Sequence, residues 1–158
     1  MLEYDFQSSI GYWLCMTSHA YERAMNEELT AQGITFRQCQ VLAWLAIEGE
    51  QTQADLAARM SIEPPTLVRV LDRMERDGLV ARTDCPDDRR RKIIKPLPKA
   101  RPLWKRIIAS AEVVRNRATA GLSRQELATL KGLLGRMREN LQAPAKAAAP
   151  NRRVKETK

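Results

Sequence analysis

Ser61 to Lys95 read SIEPPTLVRVLDRMERDGLVARTDCPDDRRRKIIK, and the parsing of this stretch decides the fold. Pro64-Pro65 opens a helix, because proline costs least where the first amides have no partner. At about 100° per residue, Leu67, Val70, Leu71 and Met74 fall in one arc that suits a core. The opposite arc holds Pro65, Val68, Arg69, Asp72 and Arg76, with Thr66 and Arg73 at its flanks. Gly78 ends the helix. Leu79-Val80-Ala81-Arg82-Thr83 and Lys92-Ile93-Ile94-Lys95 then suggest two short strands around a charged loop, Asp84 to Arg91.

Upstream, Thr52 caps a short helix that starts at Gln53 and buries Leu56, Ala57 and Met60. Three residues, Ser61-Ile62-Glu63, turn it into the next helix. Further back, Thr35 and Gln38 have the spacing of a capping box, and Gly49 closes that helix. The stretch from Glu3 to Ala31 repeats apolar residues every three or four positions (Ile10, Trp13, Leu14, Thr17, Tyr21, Ala24, Leu29), which predicts a long amphipathic helix broken by Gly33. Downstream, a helix near Pro102 is expected to bury Trp104, Ile107, Ile108 and Ala111 and to end at Gly121. Ser123 and Glu126 form a second capping box before Leu127, Leu130, Leu134, Met137 and Leu141, whose spacing is close to a heptad.

The chain has 158 residues, 29% charged and 44% apolar, a composition that folds. No apolar run approaches the roughly 18 residues of a membrane span, and no basic-then-apolar leader opens the chain, so a cytoplasmic location without membrane contact is expected. The net charge of +8 is unevenly spread: residues 1–60 carry 3 basic and 8 acidic side chains, whereas residues 144–158 carry 5 and 1. Half of the excess thus lies in a tail without an apolar face, expected to be disordered. Cys15, Cys39 and Cys85 form no CxxC pair, and His19 is the only histidine, so structural zinc is excluded and no cofactor is implied.

Two helices across a three-residue turn, then a two-stranded hairpin with a basic tip, make a winged helix-turn-helix. The fold class is therefore α+β, mainly α. Its divisions are residues 1–34 for a first dimerisation helix and 35–100 for the winged helix-turn-helix. Residues 101–143 follow as C-terminal dimerisation helices, and 144–158 as a basic tail. The N-terminal part of a recognition helix reaches base edges in the major groove of double-stranded DNA. There Arg69 can donate two bonds to guanine, Thr66 can bond an edge or a phosphate, and Pro65 and Val68 can pack on thymine methyls. Arg73, Arg76, Thr52 and Gln53 complete the candidate contacts from the two helices.

At the hairpin tip, Asp88-Arg89-Arg90-Arg91-Lys92 sets four cations in a row. Such a run repels itself unless something anionic meets it, and a narrow A·T minor groove concentrates negative potential. The spacing predicts that Asp88 pairs with Arg90 and holds the loop, leaving Arg89 free to insert. The apolar stripes of the first and the last two helices, with Trp13, Tyr21, Trp104, Ile107, Leu130, Leu134 and Met137, exceed what one small head can cover, and a homodimer is the simplest way to bury them.

Ile62-Glu63-Pro64-Pro65-Thr66-Leu67-Val68-Arg69, Gly78-Leu79-Val80 and Asp88-Arg89-Arg90 together resemble the MarR family of bacterial transcriptional regulators, and within it the SlyA-type members. The resemblance spans about residues 5–143. It implies a winged-helix homodimer in which the first helix and the last two intertwine. It further implies a pseudo-palindromic operator and modulation by a small phenolic or carboxylate effector. Some positions depart from the family pattern. Ser61 replaces a glycine wanted for positive φ. Pro96-Leu97 replaces Leu-Thr after the wing, so the second strand should stop there, and Ile93 stands where a basic residue is common. Met16, His19 and Glu22 occupy the places of the arginines that bind carboxylates in SlyA-like proteins.

Other classes fit less well. The chain lacks a glycine-rich phosphate loop, paired acidic metal ligands and a nucleophile motif, so no enzyme is expected. A thiol-based peroxide sensor through Cys15 would match the OhrR branch of the same family, although Phe36 and Cys39 stand where that branch uses tyrosines. A non-specific architectural DNA-binding protein would use the basic tail.

Overall fold

The computed structural model describes residues 5–86, 88 and 90–143. These form two units, one ending at Ala118 and one beginning at Thr119. The first contains α1 (Ile10–Thr30), α2 (Phe36–Glu48), β1 (Gln51–Thr52), α3 (Gln53–Met60) and α4 (Pro64–Arg76), then β2 (Val80–Asp84), β3 (Lys92–Pro96) and α5 (Ala100–Ala118); the second contains α6 (Arg124–Gln142). No helix among the described residues is long and apolar enough to cross a membrane.

Local chemistry sets most of the boundaries. Thr35 accepts the Gln38 amide at 3.3 Å while the Gln38 side chain accepts the Thr35 amide at 2.9 Å, so both halves of the expected capping box are made. Ser123 and Glu126 do the same at α6, with distances of 3.2 and 2.7 Å. The first helix starts at Ile10 rather than near Glu3: the Asp5 carboxylate takes the amides of Gln7 and Ser8 at 3.1 and 3.2 Å, a local turn that competes with helix. Ser61 closes α3 at φ 50°, ψ 46°, the only non-glycine residue with positive φ among those described. A side chain in this region costs about 1 kcal/mol relative to glycine.

The sheet has three antiparallel strands in the order β1-β3-β2, one more than the sequence suggests. Gln51 pairs with Ile94 and Thr52 with Ile93, a two-residue strand too short for any periodicity. Thr52 serves twice, as the last strand residue and as the cap of α3. β3 ends at Pro96, as its missing amide requires. The core of this unit gathers Leu29, Val41, Leu56, Leu67, Leu71, Met74, Val80, Ile94, Ile107 and Val114, all fully buried.

α5 starts at Ala100, and of the four residues expected to face the core only Ile108 does not. Leu103, Ile107, Ser110 and Val114 are buried, Trp104 and Ala111 are half-buried, and Ile108 is 43% exposed. The stripe that follows Leu103 excludes Ile108, because one residue swings a side chain about 100° around the axis.

Candidate nucleic-acid interface

The expected arcs of α4 are found. Leu67, Leu71 and Met74 are fully buried and Val70 packs against the core, while Pro65, Thr66, Arg69, Arg73 and Arg76 are exposed and Val68 is half-buried. The N-terminus of α4 has no free amide to offer an anion. Pro64 and Pro65 have none, and the Thr66 and Leu67 amides donate to the Glu63 carbonyl at 3.0 and 3.3 Å. α4 thus presents side chains. Arg73 lies 4.0 Å from Asp77, at the limit of an ion pair. Arg69 and Arg76 make no ion pair among the described residues.

The wing is held by its own polar groups. Asp88 accepts the backbone amide of Arg90 at 2.9 Å, so it holds the loop as expected but through the main chain rather than by pairing with the guanidinium. An aspartate reaches an amide two residues on without ordering a long side chain, which makes this the cheaper bond. The Asp88 carbonyl accepts the Arg91 amide at 2.9 Å, and the Arg91 carbonyl accepts that of Cys85 at 3.0 Å. Arg91 reaches back to α3, with Nη2 at 3.7 Å from Asp55 and 3.5 Å from the Thr52 hydroxyl. Lys92 bonds Asp84. The protein's own carboxylates, Asp55 and Asp84, therefore answer two of the four cations of the run, Arg91 and Lys92, whereas the sequence offered an internal partner only to Arg90. Arg89 lies outside the described residues, as does the tail 144–158.

One concavity of about 230 Å³ brings Thr52, Gln53, Ala54, Pro64, Arg90, Arg91 and Lys92 together. Gln53 and Ala54 are the first residues of α3, whose amides an α-helix leaves without internal partners. These amides and the side chains of Arg90, Arg91 and Lys92 line the same concavity, a combination that suits an anion such as a phosphate.

Arg82 is the residue that sequence reading missed. It lies on β2, 18% exposed at its side chain, and contacts Val68, Asp72 and Glu75 of α4. The only available signal was an arginine in a strand opposite an acid-bearing helix flank, and that proximity is tertiary.

Among the cysteines, Cys15 is exposed on α1 and Cys39 is buried on α2, where burial pushes its thiol up to about 11 and keeps it protonated.

A sequence model of the MarR family matches residues 32–91, from just past α1 to the wing. The transcriptional regulator PA3341 is 36% identical over 86% of this chain and 100% of its own, with a TM-score of 0.78. Wild-type MarR from E. coli in its apo form is 26% identical over 86% of this chain and 98% of its own, with a TM-score of 0.73. A cysteine-to-serine mutant of E. coli MarR complexed with operator DNA is 26% identical over 81% of this chain and 92% of its own, with a TM-score of 0.72. With the winged fold in place and a basic arc exposed on α4, these matches assign the chain to the MarR family of DNA-binding transcriptional regulators.

Proposed function

We propose that the protein is a sequence-specific regulator of SlyA type that binds a pseudo-palindromic, A·T-rich operator as a homodimer in the cytoplasm. The observation that carries this reading is the exposed arc of α4, with Arg69 and Arg76 unpaired among the described residues, beside a cationic seat built by α3 and the wing. In this reading Pro65, Thr66, Val68 and Arg69 face base edges. Arg73, Arg76, Thr52, Gln53 and the wing residues Arg89, Arg90, Arg91 and Lys92 position the protein on phosphates and in the minor groove, while Asp88 holds the wing loop. The dimer is supported by two uncovered apolar faces. α1 exposes Ile10, Leu14, Met16 and Tyr21, with Trp13 53% accessible, and α6 buries no residue at all. A twofold partner would set two α4 helices in successive major grooves, about 10 base pairs apart.

Selection of bound genomic fragments at about 150 mM salt tests this, that concentration keeping bulk electrostatic binding from dominating. One enriched pseudo-palindrome with half-sites about 10 base pairs apart is the expected result. A featureless A·T-rich smear would replace the reading with an architectural one.

We further infer a small aromatic carboxylate as effector, supported by a crevice of about 240 Å³ between α2, the β3–α5 link and α5. Its walls are Leu42, Leu45, Ala46, Pro96, Leu97, Pro98, Ala100 and Trp104, and Arg101 is its one charged residue. Apolar walls with a single cation at the rim suit a flat ring carrying one negative charge. Benzoate should release the selected DNA and quench Trp104, and Arg101→Ala should abolish both effects. Unchanged release by the alanine variant would place the effector elsewhere.

A further inference from the structure

We propose that Arg82 is a positioning residue for DNA binding, a clamp that fixes the wing against the recognition helix and holds two carboxylates out of the DNA-facing arc. The proposal rests on the reading that α4 and the wing both contact DNA.

Arg82 lies in the middle of β2, paired with Ile94 of β3, so its backbone is part of the wing hairpin. Its side chain crosses to α4. Nη2 stands 2.7 Å from Asp72 Oδ1 and donates to the Val68 carbonyl at 3.2 Å, while Nη1 donates to Glu75 Oε2 at 2.8 Å. The Arg82 amide donates to the other Glu75 oxygen at 3.1 Å. One strand residue thus engages three successive turns of α4 through a planar fork, an arrangement lysine cannot reproduce. Only 18% of the side chain is exposed, so solvent screens these bonds less than it screens the other ion pairs of the unit.

The three partners form the stripe Val68, Asp72, Glu75, and each immediately precedes a residue of the stripe Arg69, Arg73, Arg76. Without Arg82, the Asp72 and Glu75 carboxylates would lie beside the arginines meant for DNA. Asp72 has Arg69 three residues before it and Arg76 four after it, both within reach on a helix surface. Free carboxylates there would compete with bases and phosphates for these guanidiniums. Arg82 occupies both acids and, through the same bonds, sets the distance from α4 to the wing.

The test is a double-mutant cycle between Arg82 and Arg90 on a selected operator fragment, read by affinity and by salt dependence. Arg82→Gln is expected to weaken binding about 10- to 100-fold, the range associated with losing a set of charge-assisted hydrogen bonds. The slope of log affinity against log salt should fall by about one for each phosphate that the wing releases. Arg90→Ala should weaken the parent protein but cost far less in the Arg82→Gln background, because a wing that is no longer held has little left to lose. Arg82→Lys, which keeps the charge without the fork, should fall between. If Arg82→Gln does not fold, Asp72→Asn with Glu75→Gln breaks the same clamp from the helix side and should lower the cost of Arg90→Ala in the same way. Additive effects with an unchanged salt slope, or Arg82→Gln binding like the parent, would overturn the clamp while leaving the interface intact. If Arg90→Ala is silent in the parent protein, the wing reading itself falls and the clamp falls with it.

Discussion

Leu130→Asp combined with Leu134→Asp is expected to turn the proposed homodimer into a monomer, and to lower operator affinity by about 10³ or more. That is the span between specific and non-specific binding. The expectation starts from α6, in which Leu127, Leu130, Leu134, Met137 and Leu141 recur at alternating steps of three and four. Leu130 and Leu134 are 45% and 41% exposed, and no residue of the helix is buried. The substitutions therefore replace no buried residue of a single chain. In a self-complementary seam they would place four carboxylates where apolar surface should meet, and burying unpaired charge costs several kcal/mol per group. A monomer retains one recognition helix and one wing, hence half of the groups that reach bases and phosphates. Sedimentation equilibrium and fluorescence anisotropy on the selected operator check both halves. A variant that stays dimeric, or a monomer that binds the operator like the parent, would remove α6 from the interface.

The parts of the fold legible in the sequence are those fixed by local chemistry. The α4 arcs, the capping boxes at Thr35 and Ser123 and the stop at Pro96 each follow from a few neighbouring residues, the positive φ at Ser61 follows from the family resemblance, and the structure has them all. The parts that sequence reading missed or misplaced depend on distant partners or on competition between similar local choices. β1 exists because Gln51 and Thr52 meet Ile94 and Ile93, more than forty residues away. Ile108 faces outward because the packing of α5 follows Leu103, Ile107 and Val114, and an apolar cluster alone does not say which residue is left out. Asp88 illustrates the competition. A neighbouring guanidinium and a neighbouring amide are both in reach, and the amide wins because it needs no rotamer fixed.

The candidate site divides along the same line. The exposed cations of α4 could be identified from helical period alone. Which cations are already engaged could not, because Arg91 finds Asp55 and Arg82 finds Asp72 and Glu75 only after α3, α4 and the hairpin have packed. This distinction matters for function. A cation bound to an internal carboxylate must give up that bond before it can meet DNA, so its net contribution falls and its role shifts toward holding the scaffold.

Arg69→Ala follows from that distinction and should separate base reading from phosphate binding. Arg69 is exposed on the first half of α4, makes no ion pair among the described residues and lies where a recognition helix meets base edges. A guanidinium in that position can donate to O6 and N7 of one guanine, a pairing that discriminates by about 1–3 kcal/mol. The substitution should therefore weaken the parent operator about 5- to 150-fold, the same energy expressed as a ratio. It should weaken operators already altered at that base pair hardly at all, and the salt slope should stay nearly unchanged. Arg73 is the control. It lies beside Asp77 and farther along the helix, so Arg73→Ala should weaken all sequences alike and reduce the slope by about one for each phosphate it had neutralised. Anisotropy titrations on a panel of single-base operator variants at several salt concentrations give both patterns at once. If Arg69→Ala behaved as Arg73→Ala does, losing affinity on every sequence together with slope, Arg69 would be a phosphate-binding residue. Base reading would then have to come from Thr66, Val68 and Pro65, which offer one hydroxyl and two apolar surfaces and so favour thymine-rich half-sites over any that contain a guanine.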